Sequence, residues 1–472
     1  FLNFFLSNKA NNALINNVLK LKNSYGENKT GNNQKIQIEF VSANPTGPLH
    51  VGHGRGAAIG DCLARLFKAS GWAVTKEFYY NDAGAQIKNL TQSVKACCQN
   101  IPTDDPKYPT DGYHGDYIND ISQAFLSMKT IKCQGQTIKA SGKVEDTESI
   151  QNFSVAYLRN EQDQDLMAFR TKFDVYTLES SFYQNGKIES VVDRLIEQGH
   201  TYEKDEALWL RTTNFGDDKD RVMKKTDGSY TYFIPDVTYH LDKWERGFKK
   251  VINEQGADHH STISRVRAGL QGLNKNIPKD WPEYVLHQMI TVVKEEKEIK
   301  LSKRAGSYLT LRDLIDEVGC DAARYFLAAR RPDSQLIFDI DLAKSQNNDN
   351  PVFYIQYAHA RISKVLEQWG GDISTLKLDE SFILNSESEL KLIKNISIYP
   401  EIVLQATKEL APHQIANFLK DCAAELHSYY NDSKFLVKDE KIKIARLSLI
   451  NSAKYVLKNG LNLLGIEAPQ QM

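Results

Sequence analysis

The chain has 472 residues, enough for about three domains, and 41% of them are apolar, enough for buried cores. A formal net charge of −1 excludes bulk electrostatic attraction as an argument for a polyanionic partner, so any basic surface must be local. Six cysteines without a Cys-x-x-Cys pair indicate neither a zinc module nor a disulfide framework and fit a reducing cytoplasm, and no apolar run approaches the ~20 residues that span a bilayer.

Residues 1–33 are rich in Asn and end in Gly26-Glu-Asn-Lys-Thr-Gly31-Asn-Asn, a linker by composition. The opening Phe-Leu-Asn-Phe-Phe-Leu is too short for a signal peptide and lacks a basic start, and a chain that begins at Phe1 reads as a fragment of something longer. Residues 35–41 alternate polar and apolar side chains as a strand does, and 49–69 carry helical apolar spacing at Leu49, Ala58, Cys62, Leu66 and Ala69. The strand, helix, strand, helix order of 34–98 predicts the first half of a parallel α/β layer. Residues 99–206, opening on a Pro-, Asp-, Gly- and Tyr-rich stretch and then mostly helical in period, read as an insertion. The nucleotide fold resumes over 207–299, followed by a basic loop and connecting region over 300–349. From 350 to 472 the period is helical, with helices expected over 352–369, 387–398, 400–410, 412–431 and 441–464. The expected fold class is therefore α/β: a Rossmann-like parallel-sheet domain with a mostly helical insertion, followed by an all-α bundle.

The first strand-to-helix junction carries the chemistry. It reads Glu39-Phe-Val-Ser-Ala-Asn44-Pro-Thr-Gly47-Pro-Leu-His50-Val-Gly52-His53-Gly54-Arg-Gly56. Free backbone N–H groups and the helix dipole favour anionic oxygen there, and Gly47, Gly52, Gly54 and Gly56 let a phosphate chain approach. His50 and His53, three residues apart, can both donate to a pentavalent α-phosphoryl group. Half of a metal site is a poorer reading, because no nearby Cys or acidic pair completes it. Gly52-His-Gly54-Arg-Gly-Ala57 also fits a dinucleotide fingerprint, with Glu77 placed as the ribose-binding acid, which makes a nicotinamide oxidoreductase an alternative. Two histidines at the pyrophosphate turn have no role in hydride transfer.

About 250 residues later the chain reads Lys300-Leu-Ser302-Lys303-Arg304-Ala-Gly306, after a run that suggests a strand and a charged hairpin turn. Three cations beside a glycine can close over a triphosphate as the transition state develops. A solvated Lys/Arg run is the plain reading of that segment alone; paired with the first motif it points to adenylyl transfer with pyrophosphate leaving. The acceptor has its own clues. Glu39 ends the first strand at the crevice, and Asp236, four residues after Tyr232, approaches it from the second half. Two carboxylates and a phenol suit a guanidinium, whose five donors form a fixed fork, and Asn44 is a neutral group for an α-amino or α-carboxylate. Tyr357 and Arg361, one helical turn apart, share a face suited to stacking on unpaired bases, although such spacing is also that of core residues.

The two signatures together resemble the paired HIGH and KMSKS motifs of class I aminoacyl-tRNA synthetases. The ordered set of the first motif, Asn81-Asp82-Ala83-Gly84, Tyr232-x-x-x-Asp236, Lys300-x-Ser-Lys-Arg and Tyr354-x-Gln-Tyr357-Ala-His359-Ala-Arg361 resembles the arginyl-tRNA synthetase family from about residue 35 to the end. The resemblance implies that Glu39, Tyr232 and Asp236 hold the arginine side chain and Asn44 its backbone end. It implies that His50, His53 and Lys303 serve ATP, with Lys300, Ser302 and Arg304 supporting the loop, and that Gly256-Ala-Asp258-His259 meets the ribose or the amino acid. The implied reaction forms arginyl-adenylate from ATP with Mg²⁺, then transfers arginine to the 2′-hydroxyl of the terminal adenosine of tRNA(Arg), with tRNA usually needed even for the first step. The helical end would bind the anticodon through Tyr357 and Arg361. A monomer in the cytoplasm, no resident protein-held metal and no editing domain are expected. Many members carry an extra N-terminal domain, of which only residues 1–33 could be a remnant, and Leu301 stands where methionine is commonest. A noncatalytic RNA-binding relative is the second reading, and intact His50, His53, Lys300 and Lys303 argue against it.

Overall fold

The strand Lys35–Glu39 is buried along all but its first residue, as a central parallel strand covered on both faces must be. In the computed structural model, which describes residues 7–299 and 309–472, it is the middle of a five-stranded parallel sheet. The spatial order is Glu283–His287, Lys250–Gly256, Lys35–Glu39, Ala73–Tyr80, Val175–Leu178. By chain order that is fifth, fourth, first, second, third, so the chain reverses direction beside Lys35–Glu39. In such a doubly wound sheet the ligand crevice opens beyond the carboxyl ends at the reversal, here between Glu39 and Gly256. The helix Val51–Ala69 follows the first strand and packs closely on it. A Cβ at Gly60 would lie 2.1 Å from the Phe40 ring, so only glycine permits that approach.

Four expectations are corrected. The strand Val175–Leu178 belongs to the parallel sheet, so the inserted part of 99–206 closes before it. That part, with helices Tyr117–Leu126 and Thr147–Ala168 and the hairpin of Thr130–Cys133 with Gln136–Lys139, has its own core around Phe125, Ile150 and Phe153. Residues 207–210 do not resume the parallel layer: Thr201–Lys204, Ala207–Leu210 and Arg221–Lys224 form a separate antiparallel sheet. Residues 1–33 are not simply a linker. The helix Asn8–Leu21 packs on the last helix, Glu440–Leu463, with Ile15 and Val18 fully buried. Its asparagines are structural: Asn12 Nδ2 donates to the carbonyls of Asp379 and Phe382 at 2.8 and 2.9 Å, and Asn16 to that of Leu378. Finally, the two expected helices at 387–398 and 400–410 are one, Glu387–Lys408, with Pro400 inside it between the buried Ile396, Tyr399 and Val403.

The hairpin before the basic loop is as expected, Ile290–Lys294 turning at Glu295 and Glu296 into Lys297–Ile299. Lys300, Ser302, Lys303 and Arg304 lie outside the described residues. On the far side the chain reappears beside the first motif, where Thr310 bridges His50 and the Leu311 N–H donates to the Leu49 carbonyl at 2.7 Å.

The sheet domain and the helical end meet at a buried guanidinium. Arg324, fully buried on the helix Cys320–Ala328, pairs with Asp61 of Val51–Ala69 at 2.7 Å. It also donates to the carbonyls of Leu464, past the last helix, and Phe169, past the insertion, both at 2.8 Å.

Candidate active site

His50 is the N-cap of Val51–Ala69, and the cap is reciprocal. The His53 backbone N–H donates to His50 Nδ1 at 3.3 Å, and the His50 N–H donates to His53 Nδ1 at 3.2 Å. The two rings stack, with centroids 3.7 Å apart and planes 15° apart. A ring whose Nδ1 accepts must carry its neutral-state proton on Nε2, so the cap fixes the tautomer of both imidazoles as outward donors. Gly52 makes room for this pair, because a Cβ there would lie 2.8 Å from His50 Cε1.

Both rings line a cavity of about 500 Å³ at the sheet's reversal point, with Asn44, Gly52 and Gly56 on one side and Gly256, Asp258 and His259 on the other. The wall of the cavity is held from behind. Arg55, fully buried, donates to the carbonyls of Gln288, Arg331 and Ser334 at 2.7, 2.9 and 3.0 Å, and its burial lowers its pKa to about 10. Two expected phosphate glycines are elsewhere. Gly54 packs against Leu311, where a Cβ would stand 2.8 Å from Cδ1, and Gly47 offers its carbonyl to Gln162 Nε2 at 2.9 Å. Gln162, on the insertion's long helix, also holds the Asn44 carbonyl at 3.1 Å, and the Asn44 side chain donates to Gln86 at 2.7 Å. The insertion therefore fixes the loop that carries Asn44.

Strand Lys35–Glu39 ends two residues earlier than its pattern suggests. Val41 and Ser42 follow with φ of 67° and 40°, a left-handed pair that is uncommon for a β-branched residue and that turns Ser42 inward. Ser42 Oγ donates to Glu39 Oε1 at 2.9 Å and accepts from the Tyr79 N–H at 3.2 Å. Glu39 is not an open clamp. Its other oxygen pairs with the fully buried Lys243 at 2.5 Å, and Lys243 also donates to Asn253 at 2.9 Å. Both carboxylate oxygens are thus engaged, contrary to the expectation that Glu39 grips a ligand.

Two further acids, with no ion pair of their own among the described residues, lie next to it. Asp236, in the first turn of Phe233–Glu245, is pushed up to about 7 by desolvation, then by the charge of Glu179. Glu179, buried at the start of the helix after Val175–Leu178, is also raised, by desolvation first and Asp82 next, and accepts from the Tyr79 hydroxyl at 2.7 Å. Among the described residues neither acid has an ion-pair partner within 4.0 Å. Tyr232 stands exposed one turn before Asp236. Beside the expected Asp236 the structure places Glu179, Tyr79 and Lys243, which sequence reasoning did not single out. The Glu179-Ser-Ser word after a short apolar run was the available signal for the first of these.

Comparison with known proteins agrees with this geometry. Residues 14–357 match the family described as tRNA synthetases class I (R), catalytic domain, and residues 355–472 match the DALR anticodon binding domain. An arginine–tRNA ligase of Geobacter metallireducens is 56% identical over the whole chain, which covers 84% of that protein. The chain belongs to the arginyl-tRNA synthetase family. An arginine–tRNA ligase of Bordetella petrii is 54% identical, again over the whole chain and 84% of its own length. Among solved structures, a Campylobacter jejuni protein assigned as an arginyl-tRNA synthetase superposes with a TM-score of 0.89 at 32% identity, over 99% of this chain and 100% of that one. The Thermus thermophilus arginyl-tRNA synthetase shares the fold, with a TM-score of 0.74 at 21% identity over 98% of this chain and 86% of that one.

In the DALR domain Tyr357 and Arg361 do share a face of Pro351–Trp369, and both are half-buried. The Arg361 guanidinium lies 5.0 Å from the Tyr357 ring centre and 4.1 Å from that of Tyr430, and donates to His427 Nδ1 at 3.0 Å. Tyr354 lies against the other face of His427, at 4.3 Å. No helix among the described residues is long and apolar enough to cross a membrane.

Proposed function

We propose that this chain is an arginine–tRNA ligase that activates L-arginine with ATP and transfers it to tRNA(Arg). The observation that carries the substrate is the acid pair of half-buried Asp236 and buried Glu179, whose charges repel and neither of which has an ion-pair partner within 4.0 Å among the described residues. Such a pair is costly until a cation arrives, and the planar fork of a guanidinium fits two carboxylates. Tyr232 closes the rim, and Glu39 acts one step back, holding Lys243 and Ser42 beneath the site. Asn44 takes the α-amino or α-carboxylate end, on a loop braced by Gln162.

ATP fills the cavity with its phosphates at the N-terminus of Val51–Ala69. The arginine carboxylate attacks the α-phosphorus, the bond to the β-phosphate oxygen breaks, and pyrophosphate leaves. Nε2–H groups of His50 and His53 donate to the α-phosphate oxygens as charge builds there, which is where preorganised donors lower a barrier. Lys300 and Lys303, with Ser302 and Arg304, neutralise the leaving pyrophosphate, while Gly256, Asp258 and His259 meet the nucleoside. Magnesium would arrive as the complex of ATP, since Mg²⁺ is commonly held largely through substrate phosphates. Transfer follows: the 2′-hydroxyl of the terminal adenosine of tRNA attacks the arginyl carbonyl and loses its proton, the acyl–phosphate bond of arginyl-adenylate breaks, and AMP leaves. The anticodon bases of the tRNA stack at the Tyr357 and Arg361 face. The reading includes a monomer, and a cytoplasmic setting that suits six free thiols. Exchange of labelled pyrophosphate into ATP, with tRNA present, tests it. Exchange that depends on arginine is the expected result, and exchange driven by another amino acid, or none, overturns it.

A further inference from the structure

Glu254 lies on the strand Lys250–Gly256, lines the cavity and is 3% exposed, yet nothing above gives it a task. Its Oε1 accepts from the Nδ1–H of His287 at 2.5 Å. Its Oε2 is buried with no hydrogen-bond partner among the described residues. Pairing with Arg55 does not account for it, because the Arg55 hydrogen bonds go to three backbone carbonyls and none reaches Glu254. A buried carboxylate oxygen without a donor marks a place where a donor is expected to arrive.

The direction of that oxygen says where. A Cβ on Gly56 would stand 2.6 Å from Oε2, and Gly52 and Gly56, one helical turn apart, both line the cavity. Oε2 takes the space that a side chain at Gly56 would fill, with His287 Cε1 beside it, so the carboxylate edges the cavity at that turn of the helix. With phosphates at the helix N-terminus, the far end of a nucleotide reaches the second turn, where Gly56 lies. A neutral His287 that donates its Nδ1–H to Glu254 carries an acceptor at Nε2. The pair therefore presents acceptors only.

We propose that Glu254 sets the base specificity of the nucleotide, its Oε2 and the Nε2 of His287 accepting the two hydrogens of the exocyclic amine of adenine. Guanine carries a carbonyl oxygen at that edge, and acceptor facing acceptor excludes it. This rests on the ATP reading given above. The test is arginine-dependent pyrophosphate exchange with tRNA present, as kcat/KM for ATP, GTP, 2′-deoxy-ATP and purine riboside triphosphate, which lacks the amine. The unaltered chain is expected to use purine riboside triphosphate roughly ten- to hundredfold less well than ATP, as for a lost hydrogen bond to a charged group. In Glu254→Gln, which exchanges one acceptor for a donor, that gap shrinks and GTP gains on ATP. Equal use of ATP and purine riboside triphosphate by the unaltered chain overturns the proposal without any variant. So does an equal fall for all four nucleotides in Glu254→Gln, and a change confined to 2′-deoxy-ATP would move Glu254 to the ribose instead. No exchange with ATP at all would overturn the ligase reading and this proposal with it.

Discussion

Asp236 shows how a single buried carboxylate acquires a purpose. With its pKa raised to about 7, it is largely neutral below that pH and ionised above it. A guanidinium prefers the ionised form, so the arginine KM should fall as pH rises through about 7 and then level off. Bound arginine draws the pKa down, so kcat at saturation should lack this inflection. Asp236→Asn removes the inflection and raises the arginine KM roughly ten- to hundredfold, the scale of one charge-assisted hydrogen bond. A KM that is flat across this range in the unaltered chain would detach Asp236 from arginine. Residues of this kind are partly legible in sequence. Asp236 and Tyr232 could be singled out because they lie four apart at the start of one helix, whereas Glu179 meets Tyr79 across 100 positions and Lys243 meets Glu39 across 204. Alternation along a strand says which face a side chain takes but not which distant charge neutralises it.

The helix Val51–Ala69 is capped by the pair His50 and His53, and the proposed chemistry gives the same two side chains a second job as Nε2–H donors. His50→Asn separates the jobs. Asn is a preferred N-cap, so helix stability should change by only about 0.5 kcal/mol, seen as a nearly unmoved melting temperature. The lost donor should lower kcat for pyrophosphate exchange by about 10²-fold or more, with a smaller effect on the ATP KM. Unchanged kcat would leave the His pair as a cap alone. This element was legible because its signals are local: glycines for close approach and apolar helical spacing. Val175–Leu178 was not, because four half-buried residues between helices carry no period, and only pairing with Glu77–Tyr80 makes them a strand. Asn8–Leu21 was hidden for the opposite reason, since Asn12 and Asn16 look like solvated linker residues until the 378–382 carbonyls they cap are in view. Gln162 belongs here too, as it explains what the insertion contributes: it braces the loop that carries Asn44.

Across the whole molecule, Asp61 and Arg324 tie the catalytic helix to the helical end, and the pair is fully buried. Desolvation alone would raise the Asp61 pKa, but Arg324, then Arg65 and Lys76, outweigh it and hold it down at about 2. A carboxylate lowered from 3.8 to about 2 contributes stability above its unfolded value and loses it as pH falls from about 4 to about 2. Asp61→Asn leaves Arg324 buried without its counter-charge, a loss of about 3–5 kcal/mol at neutral pH. Thermal melts should show that gap narrowing as pH falls through this window; a gap independent of pH would deny the pair its electrostatic role. The domain order was legible from periodicity and composition, but this joint was not, because Arg324 reads as one more helical arginine until Asp61, Phe169 and Leu464 converge on it. The central claim concerns the same scale, one chain joining an arginine site, an ATP cavity and an anticodon-binding domain. Its most direct test is charging of bulk tRNA with each of the twenty amino acids in turn, radiolabelled, with ATP and Mg²⁺ supplied. Labelling of tRNA by arginine alone is the predicted result, and labelling by a different amino acid, or by none, would contradict it.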